Sequence, residues 1–408
     1  MGEPLELPCG AVLANRLAKA AMSEQLADLD GRPGPGMFRL YRQWAAGGAA
    51  LLLTGNVMVD PAALGEPLDV TADERDGPAG SGALYDWADT VRGTPALLWM
   101  QINHPGRQSF RLLSPRPVAP SAVRARLPGR LFARPRALTE EEIEALIARF
   151  ARTARAAARA GFGGVQIHAA HGYLISQFLS PATNRRTDGW GGSARRRRRF
   201  LLEVVRAVRA AVGDRVAVSV KLNSADFQRG AFDESESLEV VRALDDAGID
   251  LLEISGGTYE QPAMLGAARG STRAREAYFL RYAAHARRAT GVPLMVTGGW
   301  TTGRAMSAAL REGTLDVIGL ARPLCLTPDL PKRLLEDETL TVVRACPRAG
   351  VRVLDSLLEV HWHTQQLHRL ARGLAPDPRR GALRSLAVSA TREPVNAWRR
   401  RGRSGRSR

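Results

Sequence analysis

Thr139-Glu140-Glu141-Glu142-Ile143 opens one unit of this chain, and Gly161-Phe162-Gly163-Gly164-Val165-Gln166-Ile167-His168-Ala169 closes it. The first four residues read as a capping box, in which Thr139 and Glu142 each satisfy the other's orphan N–H. Ile143, Leu146, Ile147, Phe150, Ala154 and Ala158 then recur at helical spacing, and Gly161 supplies the stop. The run that follows, Gly163–Ala169, is short and almost wholly apolar, as a parallel strand buried on both faces must be.

The same alternation repeats in both directions. Strand-like runs fall at Val12–Met22, Ala49–Val59, Ala96–Asn103, Gly163–Ala169, Val216–Leu222, Asp250–Ser255, Pro293–Thr297 and Asp316–Leu320. Helical patterns fit Arg195–Val212, Glu234–Ala247, Arg275–Ala289, Thr302–Glu312 and Pro328–Leu335, with weaker ones at Gly36–Ala46 and Gly82–Arg92. Eight alternations predict an α/β fold, a closed (β/α)8 TIM barrel over residues 1–340. A doubly wound sheet is the rival. Its G-x-G-x-x-G turn is missing, since Gly161-Phe162-Gly163-Gly164 precedes a strand rather than following one. Residues 341–374 read as a helical extension, and 375–408 as a basic, flexible tail rich in Pro and Arg.

Composition narrows the class. The chain has 408 residues, 45% of them hydrophobic and 24% charged, which suits a folded soluble protein. No apolar run is long enough for a membrane span, and Met1–Gly10 lacks the apolar core of a secretory leader. Cys9, Cys325 and Cys346 are too few and too scattered for a disulfide framework, so a cytoplasmic location is expected. The net charge is +17, almost all from arginine, because Lys19, Lys221 and Lys332 are the only lysines. The Arg399–Arg408 tail could grip nucleic acid or an anionic surface, although a disordered, solvated tail is the favoured reading.

In such a barrel the chemistry sits at the C-terminal ends of the strands. Those ends read Ala20-Ala21-Met22-Ser23, Thr54-Gly55-Asn56, Gln101-Ile102-Asn103-His104, His168-Ala169-Ala170-His171, Lys221-Leu222-Asn223, Gly256-Gly257, Thr297-Gly298-Gly299 and Ala321-Arg322. Gly298 and Gly299 after strand seven, with Ala321 and Arg322 after strand eight, mark a phosphate cradle. His168 and His171 can both donate to one carbonyl oxygen, and Tyr173 can deliver a proton. A metal reading of the H-x-x-H pair lacks a third ligand at a convincing spacing, so no metal is expected.

The loop runs on as Gln177-Phe178-Leu179-Ser180-Pro181 and Asn184-Arg185-Arg186-Thr187-Asp188-Gly189-Trp190-Gly191-Gly192-Ser193. With His168-Ala169-Ala170-His171-Gly172-Tyr173-Leu174 before it, this stretch closely resembles the old yellow enzyme family of FMN-dependent oxidoreductases. The resemblance spans about residues 10 to 340.

It implies a tightly bound FMN, reduced by NADH or NADPH, and an electron-poor alkene as small-molecule substrate. It places Ala21, Met22, Ser23, Gly55 and Gln101 around the flavin ring, Ser23 where relatives carry the Thr or Cys that tunes the potential. Lys221 stands where many members have arginine beside flavin N1 and O2, keeping the charge but losing the planar fork. His168 and His171 would hold the substrate oxygen and Tyr173 protonate the α-carbon, an ene-reductase mechanism. The larger relatives' iron–sulfur cluster is not expected, because Cys346 stands alone. A homo-oligomer is compatible with all of this. The tRNA dihydrouridine synthases, another FMN barrel, would need a cysteine acid at a strand end, a role only Cys325 is near enough to fill. A degenerate barrel binding RNA or a membrane surface would rest on charge alone. The loop Pro105–Arg136 is expected to shape the pocket, and the arginine density tilts the cofactor choice towards NADPH.

Overall fold

The computed structural model describes residues 1–75, 78–126, 132–258, 260, 272–343 and 345–404. Eight parallel strands close on themselves: β1 (Leu17–Lys19), β2 (Leu51–Met58), β3 (Leu97–Asn103), β4 (Gly164–Ala169), β5 (Ala217–Asn223), β6 (Leu251–Ser255), β7 (Leu294–Thr297) and β8 (Val317–Leu320). Each pairs with its sequence neighbour, and β1 pairs with both β2 and β8, which shuts the barrel. The first strand is shorter than its apolar run suggests. Only Leu17–Lys19 joins the barrel, while Val12–Leu13 turns away to pair antiparallel with Leu5–Glu6.

That small hairpin plugs the bottom. Leu7 and Leu13 are buried with Leu51, Trp99, Ala217, Leu251 and Val317 inside the barrel. Gly164 is required here, since a Cβ on it would lie 2.8 Å from the Trp99 ring. Access to the barrel's interior therefore comes from the other end. Outside the strands lie α1 (Pro35–Ala46), α2 (Pro78–Ala88), α3 (Glu140–Arg159), α4 (Leu174–Leu179), α5 (Ala194–Val212), α6 (Glu234–Asp246), α7 (Thr272–Arg287), α8 (Gly303–Arg311) and α9 (Leu330–Glu336). The capping box at Thr139 forms as expected, and Ile143, Leu146, Phe150, Ala154 and Ala157 face inward. Full burial of a side chain as large as Phe150 stabilises by about 1.5–3 kcal/mol.

Two helices follow the barrel, α10 (Arg352–Ala371) and α11 (Ala382–Ser404). The second corrects the expectation of a flexible tail over 375–408, of which 405–408 lie outside the described residues. Few large apolar side chains secure α11, which is why composition hid it. Polar contacts do so instead. Gln365 donates to the Ser385 carbonyl at 2.9 Å, His361 pairs with Glu393 at 2.8 Å, and Arg400 donates to the Asp28 carbonyl at 2.7 Å. From α10, His368 Nε2 reaches the Glu24 carbonyl at 2.8 Å. The extension thus clasps the loop after β1. No helix among the described residues is long and apolar enough to cross a membrane.

Candidate active site

The histidine loop leaves the end of β4. His168 is buried, and its Nδ1 accepts the Ala170 N–H at 3.2 Å, which leaves the proton on Nε2 and makes that nitrogen a donor. His171 adopts a left-handed backbone, φ 60°. Its N–H donates to Asn223 Oδ1 at 3.2 Å, and its Nε2 lies 2.7 Å from Ser255 Oγ. The His168 and His171 ring centroids are 5.0 Å apart, and Tyr173 packs edge-on to His168 at 4.8 Å. The turn is close-packed, since a Cβ on Gly172 would fall 2.8 Å from Gln108 Oε1. Asn56 Nδ2 donates to the Tyr173 hydroxyl at 3.4 Å, while Asn56 Oδ1 is buried without a protein partner.

Burial holds both imidazoles well below the usual histidine range, with Lys221 adding repulsion to each and His171 to His168. The pair is therefore neutral at pH 7, built to donate hydrogen bonds rather than to carry charge. The structure brings His168, His171 and Tyr173 together as the spacing implied. It also engages one nitrogen of each ring and leaves the other nitrogen of each available.

Inside the barrel a polar layer crosses five strands. Lys221 on β5 lies opposite Glu253 on β6, Nζ to Oε1 2.8 Å, both buried. Glu253 also accepts from Gln166 at 2.9 Å and from Thr297 at 2.6 Å, and Gln101 donates to Gln166 at 2.7 Å. Gln101 and Lys221 were legible as strand-end polar residues. Glu253 and Gln166 were missed, although each is a polar residue in the middle of its strand between two apolar neighbours, and that interruption was the available signal.

A second buried pair sits beneath the loop after β1. Lys19 Nζ lies 3.5 Å from Glu24 Oε1, donates to the Leu53 carbonyl at 2.6 Å and stacks 4.5 Å from the Trp44 ring centroid. Tyr41 donates to the same Glu24 carboxylate, and the Gly55 N–H donates to it at 3.0 Å. Burial lowers the Lys19 pKa and raises that of Tyr41 well above its ordinary value. Gly55 must be glycine, for a Cβ would lie 2.1 Å from Glu24 Oε2. The half-buried Ala21, Met22 and Ser23 continue from this anchor. Ser23 Oγ donates to the Glu66 carboxylate, a partner that sequence reading missed. Cys325 Sγ is 3.7 Å from Met22 Sδ, fully buried, its thiol pushed up to about 12 by burial. It is not poised as a proton donor.

After β7, Gly298 and Gly299 both take positive φ, 91° and 89°, which favours glycine. With Ala321 and Arg322 they border a cavity of about 260 Å³ that Arg348 and His363 of the extension also line. Arg322 pairs with Glu359 of α10 at 2.6 Å. A glycine-walled cavity edged by arginines fits a phosphate monoester. Gly319 keeps the cradle's floor thin, since a Cβ there would meet Thr297 Oγ1 at 2.0 Å. Beside this cavity Cys346, Glu359 and His363 place ligand-type atoms within 4.8 Å of one another, a grouping among the described residues that sequence spacing did not suggest. Part of the Pro105–Arg136 loop, residues 127–131, lies outside the described residues.

Known proteins share this chain's sequence pattern and its fold. A profile of the NADH:flavin oxidoreductase / NADH oxidase family matches residues 3–340. The NADH-dependent flavin oxidoreductase iliE of Hypocrea jecorina (strain QM6a) is 40% identical over 358 residues, covering 81% of this chain and 88% of that protein. Its namesake in Neonectria sp. (strain DH2) is 39% identical over 355 residues, but there the chain spans only 46% of the relative's length. Among solved structures, the old yellow enzyme homologue from Zymomonas mobilis superposes with a TM-score of 0.70 at 28% identity, covering 84% of this chain and 94% of that one.

Proposed function

The chain belongs to the NADH:flavin oxidoreductase / NADH oxidase family, the FMN-dependent oxidoreductases that draw on NAD(P)H, and from that premise we propose that it reduces the activated C=C bond of an enone or related alkene. The observation that carries this reading is the edge-to-face cluster of the buried His168 and Tyr173 with the half-buried His171, with ring centroids 5.0 and 4.8 Å apart.

Gly298, Gly299, Ala321 and Arg322 would hold the FMN phosphate, and Ala21, Met22, Ser23, Gly55, Gln101 and Lys221 would border the ring. When bound, FMN supplies a carrier for the hydride that NAD(P)H brings. The rest belongs to the protein's own side chains. His168 donates from Nε2 to the substrate's carbonyl oxygen, and His171 converges on the same atom. Because both rings are neutral, they stabilise negative charge as it develops there without transferring a proton outright. That polarisation makes the β-carbon the acceptor of hydride. The Tyr173 hydroxyl, steadied by Asn56, then protonates the α-carbon, and bulk solvent restores its proton. Lys221 supplies positive potential at the ring's pyrimidine edge, moderated by Glu253.

The test is two half-reactions in sequence. NADPH added anaerobically to the yellow protein should bleach it, and cyclohexenone should restore the colour. Tyr173→Phe should leave bleaching nearly intact and slow the recovery about 10²–10⁴-fold. Loss of both half-reactions together would remove Tyr173 from the proton-donor role.

A further inference from the structure

His171 holds a conformation that it does not favour by itself. A left-handed backbone costs a residue with a Cβ on the order of 1 kcal/mol or more, so neighbours must enforce it. Two side chains touch its backbone: Asn223 Oδ1 accepts its N–H at 3.2 Å, and Gln108 Nε2 donates to its carbonyl at 3.1 Å. Asn223, at the end of β5, is itself buried and fully committed. Both of its Nδ2 hydrogens are taken, one by Asp226 Oδ1 at 3.0 Å and one by the Gly257 carbonyl at 2.9 Å. A flipped amide would set its oxygen against a carboxylate and a carbonyl, so these two acceptors decide which way Asn223 faces.

Resting on the role given to His171 above, we propose that Asn223 and Asp226 are its positioning residues: the Asp226 carboxylate orients the Asn223 amide, and that amide holds His171 in its left-handed turn with its ring against Ser255. Asp226 is hydrogen-bonded to the Asn223 amide rather than to His171. It acts through Asn223.

The surroundings of Asp226 make the device sensitive to pH. The groups facing it are the Ser180 hydroxyl from the loop after α4, the Asn223 amide, the Phe232 N–H and, more distantly, the Arg107 guanidinium. Arg107 is itself paired with Glu260 at 2.6 Å. Burial outweighs all of these and pushes the Asp226 carboxyl up to about 6. Above that pH the carboxylate grips the Asn223 N–H. Below it the neutral acid is a weaker acceptor and the amide is freer to turn. The neighbouring histidines do not titrate in this range, since burial and Lys221 hold both well below the ordinary imidazole value.

The experiment is a pH profile of kcat/KM for cyclohexenone between pH 5 and 8, on the FMN-loaded enzyme with NADPH, for the wild type, Asp226→Asn and Asn223→Ser. A single group titrating at about 6 gives about a tenfold fall from pH 7 to pH 5. The wild type should show that limb, carried mainly by KM. Asp226→Asn should be flat at the wild type's low-pH level, and Asn223→Ser should be flat and lower still. A limb that survives in Asp226→Asn, or a wild type without one, overturns the proposal. Anaerobic bleaching by NADPH and recovery with cyclohexenone are followed in the same samples. Failure of either in the wild type would overturn the enone-reductase reading instead, and so the two failures are told apart.

Discussion

Two of the chain's three lysines are buried in the barrel, each against a glutamate, yet they serve different ends. Lys221 and Glu253 face each other across neighbouring strands and belong to a layer of Gln101, Gln166 and Thr297 under the site. Lys19 and Glu24 lie in β1 and the loop after it, and their partners are a phenol, an indole face and two backbone groups. Under the function proposed above, the first pair would put charge where the flavin can feel it. The second has no such outlet, for Lys19 is 0% exposed and its bonds end on Tyr41, Leu53 and Glu24. A buried ion pair can therefore be an instrument or a fastening, and the identity of its remaining partners tells which.

Breaking the fastening should cost most. Glu24→Ala would strand the Lys19 ammonium in the core and orphan the Gly55 N–H, a loss of about 3–5 kcal/mol in denaturant unfolding. The double variant Lys19→Met/Glu24→Gln should recover much of that loss, because no unpaired charge remains. If the double variant is no better than the single one, the pair is not what holds this loop. Breaking the instrument should cost less in stability and more in chemistry. Glu253→Gln keeps the volume but weakens hydrogen bonds to charge, worth about 1.5–3 kcal/mol. With the opposing carboxylate gone, Lys221 should favour the anionic reduced flavin more, read as a higher potential in a spectroelectrochemical titration. An unchanged potential would detach Lys221 from the flavin. The smallest effect makes a control. Thr139→Ala removes the α3 cap, far from both pairs, and should cost about 1 kcal/mol with potential and kcat/KM unmoved.

The contrast also explains what could be read beforehand. Apolar runs between helical patterns announce strands, so seven of the eight barrel strands fell within one or two residues of their observed bounds. The exception, Val12–Met22, mixes hairpin and strand, because Asn15 turns its amide onto Gly48 and splits the run. At the site, His168, His171 and Tyr173 are neighbours in sequence and so could be found together. Glu24, Glu66, Glu253 and Ser255 meet their partners only through the closed barrel or its rim, and no spacing in the chain encodes that. Likewise α11 is secured by arginine, glutamate and glutamine contacts, which in composition look like solvated tail.

The clasp between the extension and the loop after β1 also has a meaning in time. The Glu24 carbonyl waits for His368 and the Asp28 carbonyl for Arg400, residues synthesised more than 300 positions later. As the chain leaves the ribosome, Glu24 and Asp28 are made well before the residues that engage them, so these contacts can close only late. The loop after β1, which carries Met22 and Ser23, is therefore fixed in place only once α10 and α11 have been made and have docked.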